Sequence, residues 1–294
     1  MLLKSFLNYL QYEKRYSKHT IISYKTDLEQ FKTFLSQQYE LVNIELANHM
    51  QVRSWIVHMM QNQLTAKSVN RKISSLKSFY KFHKKKGNVT SNPMQKIVSP
   101  KQSKRLPSYV REDKLAGLLK SDNFTADFYG IRDLLILEIL YQTGIRRSEL
   151  ISIENQSINI NSKTLKVLGK GNKERLIPIK DDLVLLIKSY NEYKFAEFPH
   201  TEHDYVLVTD KGQKMYPKFV YNKVKAYLDI ITTSEKKSPH ILRHSFATHL
   251  ANRGAELNAI KSLLGHSSLA ATQIYTHNTI EKLKTAYNAA HPKA

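Results

Sequence analysis

Six side chains of this chain have the chemistry to break a phosphodiester without a metal. They are Arg146 in Thr143-Gly-Ile-Arg-Arg-Ser-Glu-Leu150, Lys170 in Gly169-Lys-Gly171, the pair in His240-x-x-Arg243, His266 in Leu264-Gly-His-Ser-Ser268, and Tyr275 in Gln273-Ile-Tyr-Thr-His277. A phosphodiester is an anion, and attack on it adds negative charge to the non-bridging oxygens. Fixed cations and donors must therefore be waiting there. A guanidinium suits that role, because its planar fork matches phosphate bidentately and stays protonated. Arg146 and Arg243 are the candidates for the clamp, although Arg147 is locally as good as Arg146. A tyrosine hydroxyl, with a pKa near ~10, is a weak nucleophile at neutral pH and needs a base or a cationic field beside it. Tyr275 is the candidate nucleophile.

Taken singly, each of these residues has an ordinary role. The two arginines after Gly144 read as surface charge, Lys170 as a turn lysine in a basic stretch, His266 as a helix cap and Tyr275 as a half-buried aromatic. The case rests on their conjunction. His240, His244 and His249 approach helical metal spacing, but no Glu follows His240 to give H-E-x-x-H and the chain has no cysteine to complete a site. No metal and no other cofactor is expected.

Composition narrows the class. The chain has 294 residues, with 46 Lys and Arg against 25 Asp and Glu, for a net charge of +21. That length predicts two domains rather than one core. The basic excess lies in both halves, so both can face a polyanion, though charge alone does not separate DNA from RNA or an acidic membrane. The absence of cysteine excludes disulfides, zinc-thiolate sites and thiol nucleophiles. The start, Met1-Leu-Leu-Lys-Ser-Phe-Leu, does not read as a signal peptide, and no apolar run approaches the ~18 residues of a membrane span. A soluble, cytoplasmic protein without membrane contact is expected.

The elements that must position the six side chains follow from periodicity. Apolar stripes at Leu3–Leu10, Ile21–Leu35, Val52–Met59 and Val69–Tyr80 predict a helical bundle over 1–92, with Thr20 or the Lys18-His-Thr run as the cap of the second helix and Gly87 as a stop. Lys67, Arg71, Lys72, Lys77, Lys81 and Lys84–Lys86 are read as a basic outer face suited to phosphates. Residues 93–107, with Pro93, Pro100 and Pro107 around Lys101-Gln-Ser-Lys-Arg105, read as an extended basic linker. Residues 108–294 form the second domain. Helices are predicted at Arg111–Leu119 and Asp127–Tyr141, the latter apolar all round and ended by Gly144. Three short strands at 157–160, 164–168 and 174–179 follow, with Gly169–Asn172 as the tight turn. Helices return at about 181–195, 217–231, 240–252, 256–264 and 268–276, and Ile280, Leu283 and Tyr287 mark a last amphipathic one. The i, i+3 spacing puts His240 and Arg243 on one helix face.

The order of the six residues and the motifs around them resemble the tyrosine recombinase (lambda-integrase) family, strongly over 130–180 and 238–294 and more by pattern over 1–100. The tail Ala289-Ala-His-Pro-Lys-Ala294 is similar to that of the Xer branch. The resemblance selects Arg146 over Arg147; Ile145 and Arg147 are minor departures around it. It implies a mainly α fold with a small β-sheet, a helical core-binding domain and a mixed α/β catalytic domain forming a clamp around duplex DNA. It also implies the roles: Tyr275 attacks phosphorus to give a 3′-phosphotyrosyl link, His240 takes its proton, His266 donates to a non-bridging oxygen, and Lys170 protonates the departing 5′-hydroxyl. No ATP is needed, because the link conserves the bond energy. The implied partners are double-stranded DNA, a homo- or hetero-tetramer on two sites in which the C-terminal helix docks on the neighbouring protomer, a sister recombinase and an FtsK-type translocase at the tail. The implied biology is chromosome dimer resolution at a dif-like site during cell division. The lack of an arm-binding domain fits a recombinase acting on a short core site.

Other readings share part of this pattern. An integrase of a mobile element carries the same six groups. A type IB topoisomerase uses similar chemistry without the compact tail. A non-catalytic DNA-binding protein needs no phenol beside two arginines, and a transcription regulator would show a helix-turn-helix, which is not evident.

Overall fold

The computed structural model describes residues 2–102, 109–169, 173–200, 204–234, 236–265, 287 and 289–290. The fold is mainly α with one three-stranded sheet. The chain divides into two compact units, Met1–Arg105 and Leu106–Ala294, each with its own hydrophobic core.

In the N-terminal unit, α1 (Leu2–Asn8) runs into one wide π-type turn, and α2 (Lys18–Tyr39), α3 (His49–Gln61) and α4 (Ala66–Lys85) follow. The cap of α2 is Ser17, not Thr20. The Ser17 hydroxyl accepts from the Thr20 N–H at 3.3 Å, which places Thr20 inside the first turn. At the start of α3, Asn48 and Gln51 each accept from the other's backbone N–H, at 3.0 and 2.9 Å. Gly87, with φ of +74°, lies just past the end of α4 as expected. The predicted stripes meet in one core: Leu28, Phe31 and Leu35 from α2, Val52, Trp55 and Met59 from α3, and Val69, Ile73, Leu76 and Phe79 from α4. Met94 and Ile97 pack into the same core, so the first part of the stretch read as an extended linker from residue 93 belongs to this unit, held there by its apolar side chains.

The basic residues of α4 divide into two sets. Lys67, Arg71, Lys77, Lys81 and Lys84–Lys86 are exposed. Lys72 is not on the outer face, contrary to the sequence reading. It sits between Val69, Ile73 and Leu76 on the core stripe and is 5% exposed. A lysine there needs a carboxylate. Its Nζ donates to Asp27 Oδ1 at 3.1 Å and also to Gln30, and Asp27 accepts further from Arg71 and from the Ser75 hydroxyl at 2.8 Å.

In the C-terminal unit, α5 (Glu112–Leu118) precedes α6 (Phe128–Thr143), which is buried on nearly every side as its composition predicts. A short α7 (Arg147–Ile151) comes next. β1 (Ile158–Asn159), β2 (Thr164–Leu168) and β3 (Glu174–Pro178) form an antiparallel sheet in that order, with Leu165 opposite Ile177 and Val167 opposite Arg175. α8 (Asp181–Glu197), α9 (Pro217–Ile231), α10 (Pro239–Asn252) and α11 (Leu257–Leu264) complete the unit. Gly144 ends α6 with φ of +61°, and a Cβ there would stand 2.4 Å from Phe246 Cδ1 and 2.9 Å from Leu264 Cδ2. The glycine therefore lets α10 and α11 close onto the end of α6. Tyr287 and Ala290 lie in this unit's own core, and the Tyr287 hydroxyl donates to the Gln142 carbonyl at 3.0 Å. No helix among the described residues is long and apolar enough to cross a membrane. The predicted helix at 268–276 lies outside the described residues.

Candidate active site

The end of α6 sets the site. Gly144 stops that helix, Ile145 turns into the core, and Arg146 becomes the N-cap of α7. Glu149, at the third position of α7, reaches back. Its Oε2 accepts from the Arg146 N–H at 2.7 Å and its Oε1 from Arg146 Nη1 at 2.8 Å. Arg175 approaches the same carboxylate from β3, with Nη1 on Oε1 at 3.0 Å and Nη2 on Oε2 at 2.8 Å. Arg243 comes from α10 and donates to the Gly144 carbonyl at 2.6 Å and the Leu264 carbonyl at 2.7 Å. Arg175 Nε donates to the Leu263 carbonyl at 2.9 Å, and Arg146 Nη2 to the Gly265 carbonyl at 3.3 Å. The last carbonyls of α11 have no partner within their own helix and carry the negative end of its dipole. Three arginines satisfy them and so gather at one point.

The cluster is left positive, because three guanidinium groups share one carboxylate. Burial works to raise the pKa of Glu149, but the hydrogen bonds from Arg175 and Arg146 hold it below its ordinary 4.5. Burial, then the charge of Arg146, pushes Arg243 down to about 10, so it stays protonated at neutral pH. Arg175 and Arg243 are each 4% exposed, whereas Arg146 is partly open to solvent. Such a group of fixed cations suits an anionic ligand reached from the Arg146 side.

His240 lies on the first turn of α10, one turn before Arg243, and is exposed. Partial desolvation, then the positive charges of His244, Arg243 and Arg146, hold its pKa below the ordinary 6.5. It is therefore neutral at pH 7 and able to accept a proton. Its ring stacks on His244 with centroids 5.5 Å apart and planes at 16°. His249 points elsewhere: it is buried and pairs through Nδ1 with the Tyr141 hydroxyl at 2.9 Å. No group of three metal-ligating side chains occurs among the described residues.

Of the six sequence candidates, the structure brings Arg146 and Arg243 into one cluster with His240 beside it. Arg147 is exposed and outside the cluster, which separates it from Arg146. Lys170, His266 and Tyr275 lie outside the described residues. The glycines preceding two of them are described. A Cβ on Gly169 would stand 3.4 Å from Arg175 Nη1, and one on Gly265 3.2 Å from the same atom. Sequence reasoning missed Glu149 and Arg175. The signal for Arg175 was present: it shares the inward face of β3 with Ile177, a charged residue where alternation predicts an apolar one. The signal for Glu149 was its place three residues after Arg146, just ahead of Leu150 and Ile151.

Comparison with known proteins decides what this site belongs to. The model of the phage integrase family matches residues 108–282, and that of the phage integrase N-terminal SAM-like domain matches residues 3–87. The chain belongs to the phage integrase family of tyrosine recombinases. Its curated relatives place this recombinase in the Xer branch. The chain is 37% identical to the tyrosine recombinase XerC of Chlorobaculum parvum, covering 99% of this chain and 94% of the relative. It is 38% identical to that of Staphylococcus saprophyticus, covering 99% and 97%. Among solved structures, the XerH recombinase in a post-cleavage complex with a palindromic difH substrate shares the fold, with a TM-score of 0.74, 21% identity and coverage of 97% of this chain and 82% of that one. A lambda integrase dimer bound to a core site does so with a TM-score of 0.67, 15% identity and coverage of 93% and 98%.

Proposed function

We propose that this site-specific recombinase cuts DNA with Tyr275 as nucleophile and Arg146 and Arg243 as the clamp on the scissile phosphate. The observation that carries the reading is the arginine cluster. It holds more positive charge than Glu149 neutralises, and it opens through Arg146. As the tyrosine oxygen bonds to phosphorus, negative charge builds on the non-bridging oxygens, and preorganised guanidinium groups lower the barrier there without reorganising. His240, neutral at pH 7, takes the phenolic proton. Lys170 gives a proton to the departing 5′-oxygen, and His266 donates to a non-bridging oxygen. The 3′-phosphotyrosyl bond is then attacked by another 5′-hydroxyl, so no metal or ATP is consumed.

The wider reading is Xer-type resolution of chromosome dimers at a dif-like site during cell division. Residues 1–92 and 108–294 act as the core-binding and catalytic domains, joined by the basic stretch 93–107. The exposed lysines of α4 supply phosphate contacts to duplex DNA. Four protomers, all of this chain or shared with a sister recombinase, assemble on two sites, with the C-terminal helix exchanged between neighbours and the tail open to an FtsK-type translocase. Tyr287 and Ala290 occupy the core of their own unit, which is the docked state that exchange would have to release. Tyr275→Phe tests the reaction. The wild-type chain should leave a DNA adduct on a denaturing gel, and the variant should bind the same DNA and leave none. An adduct that persists in the variant would displace Tyr275 from the role.

A further inference from the structure

Arg175 takes no part in the steps above, yet it joins Glu149 of α7 to the end of α11 and stands beside the base of the β2–β3 turn. Its fork grips Glu149, which in turn holds the backbone and side chain of Arg146. Its Nε holds the Leu263 carbonyl near the end of α11. It stands on β3 two residues after Lys173, whose carbonyl accepts from the Gly169 N–H at 2.8 Å and closes the base of the β2–β3 turn. A Cβ on Gly169 would lie 3.4 Å from Arg175 Nη1 and 3.8 Å from Glu149 Oε1, and one on Gly265 would lie 3.2 Å from Arg175 Cδ and from Nη1. The guanidinium thus lies within van der Waals reach of position 169 and crowds any side chain at position 265.

We propose that Arg175 is a positioning residue for proton delivery to the leaving group. It locks the base of the β2–β3 turn, at Gly169 and Lys173, to the Glu149–Arg146 pair and to the end of α11. The inference rests on the reaction proposed above. A buried ion pair is not needed for stability alone, since a well-packed apolar pair often does as well. A planar fork with a third donor along its edge, by contrast, fixes three backbone segments in one geometry. The fork of Arg175 is spent on the Glu149 carboxylate and its Nε on the Leu263 carbonyl, whereas Arg243 meets only neutral carbonyls, so Arg175 acts through its neighbours rather than on the phosphate.

The step it serves is the break of the P–O5′ bond. The tyrosine oxygen bonds to phosphorus, the P–O5′ electron pair leaves with oxygen, and the Lys170 ammonium supplies the proton that oxygen needs. If a sulfur replaces the 5′-bridging oxygen, the pair leaves on sulfur as a thiolate, stable with a thiol pKa near ~8.5, and no proton donor is required. A fault in proton delivery is therefore repaired by the sulfur substrate, and a fault in the fold or in the phosphate clamp is not.

The test uses the full chain with a nicked duplex bearing a cleavable site, made with 5′-bridging oxygen or sulfur, and reads the rate of adduct formation. Arg175→Lys keeps the charge and loses the fork. We expect it to slow cleavage of the oxygen substrate by about 100-fold, the cost of a small misplacement, and to recover to within about tenfold of wild type on sulfur, as does Lys170→Ala. Should Arg175→Lys fail to fold, Gly169→Ala decides. Its Cβ, 3.3 Å from the Lys173 carbonyl, shifts the turn base without opening the core, and a loss of about tenfold repaired by sulfur supports the inference. Equal slowing on both substrates, or no slowing, overturns it even when Lys170→Ala is repaired and Tyr275→Phe is inert. An active Tyr275→Phe, or a Lys170→Ala that sulfur does not repair, overturns the reaction reading itself and this inference with it.

Discussion

Glu149→Gln is the sharpest test of the cluster as a physical object. The carboxylate accepts four hydrogen bonds, at 2.7 and 2.8 Å from Arg146 and 3.0 and 2.8 Å from Arg175. The side chains of Glu149 and Arg175 are each only 4% exposed. Removing the charge leaves a buried guanidinium without a counterion, which costs about 3–5 kcal/mol. A unit of this size loses about 2–4 °C of melting temperature per kcal/mol, so its transition should fall by roughly 6–20 °C. Calorimetry on the full chain reads this directly, with the N-terminal unit as an internal reference that should not move. The double variant Glu149→Gln/Arg175→Gln should lose less than the two single losses added, by up to about 3 kcal/mol, because it leaves neither buried charge stranded. Acid provides the sign. The folded pKa of Glu149 lies below its ordinary 4.5, so its stabilisation is complete above 4.5 and fades as pH falls through the lower folded value. The gap between wild type and variant should narrow below pH 4.5. A shift of under about 2 °C at neutral pH, or strict additivity in the double variant, would show that Glu149 and Arg175 are not a coupled buried pair.

Three other outcomes follow from the same structure. Arg243→Ala should slow adduct formation by about 100- to 1000-fold in single-turnover assays while site binding persists, and a near-wild-type rate would remove it from the clamp. Replacing Lys84, Lys85 and Lys86 with Gln should lower the slope of log affinity against log salt by about 0.9 for each phosphate left without its cation, and an unchanged slope would leave them as solvated surface. His83, His240 and His249 are all held below their ordinary 6.5, in each case mainly by desolvation. The unfolded chain thus binds more protons in that range, so the stability they contribute is complete above pH 6.5 and is lost as pH falls through their folded values. Thermal midpoints that stay flat between pH 7 and 5 would contradict this.

Much of the architecture was legible because burial in this chain follows period. Leu28, Phe31 and Leu35 read as one helix face and are one, and the strand pair around Leu165 and Ile177 alternates as a half-buried sheet should. The cap of α2 was misplaced because Ser17 and Thr20 are both competent caps and their mutual geometry decides. Lys72 has the charge of an outer face but the position of the core stripe, beside Val69, Ile73 and Leu76, and its partner Asp27 is on another helix, out of reach of local pattern. The same limit hid Glu149 and Arg175. Local pattern finds a reactive side chain that sits in a motif, but not an ion pair joining residues that are 26 apart in sequence. α7 escaped because five residues are too few to show a period.

The proposed reaction bonds a phenolic oxygen of this chain to DNA phosphorus. The direct measurement is to trap the full chain on DNA, denature it, digest both polymers and locate the nucleotide remnant by peptide mass spectrometry. The account predicts a 3′-phosphate remnant on the peptide containing Tyr275 and its disappearance in Tyr275→Phe. A remnant on any other residue, a 5′-linked remnant, or DNA cut without a protein-linked intermediate would contradict it.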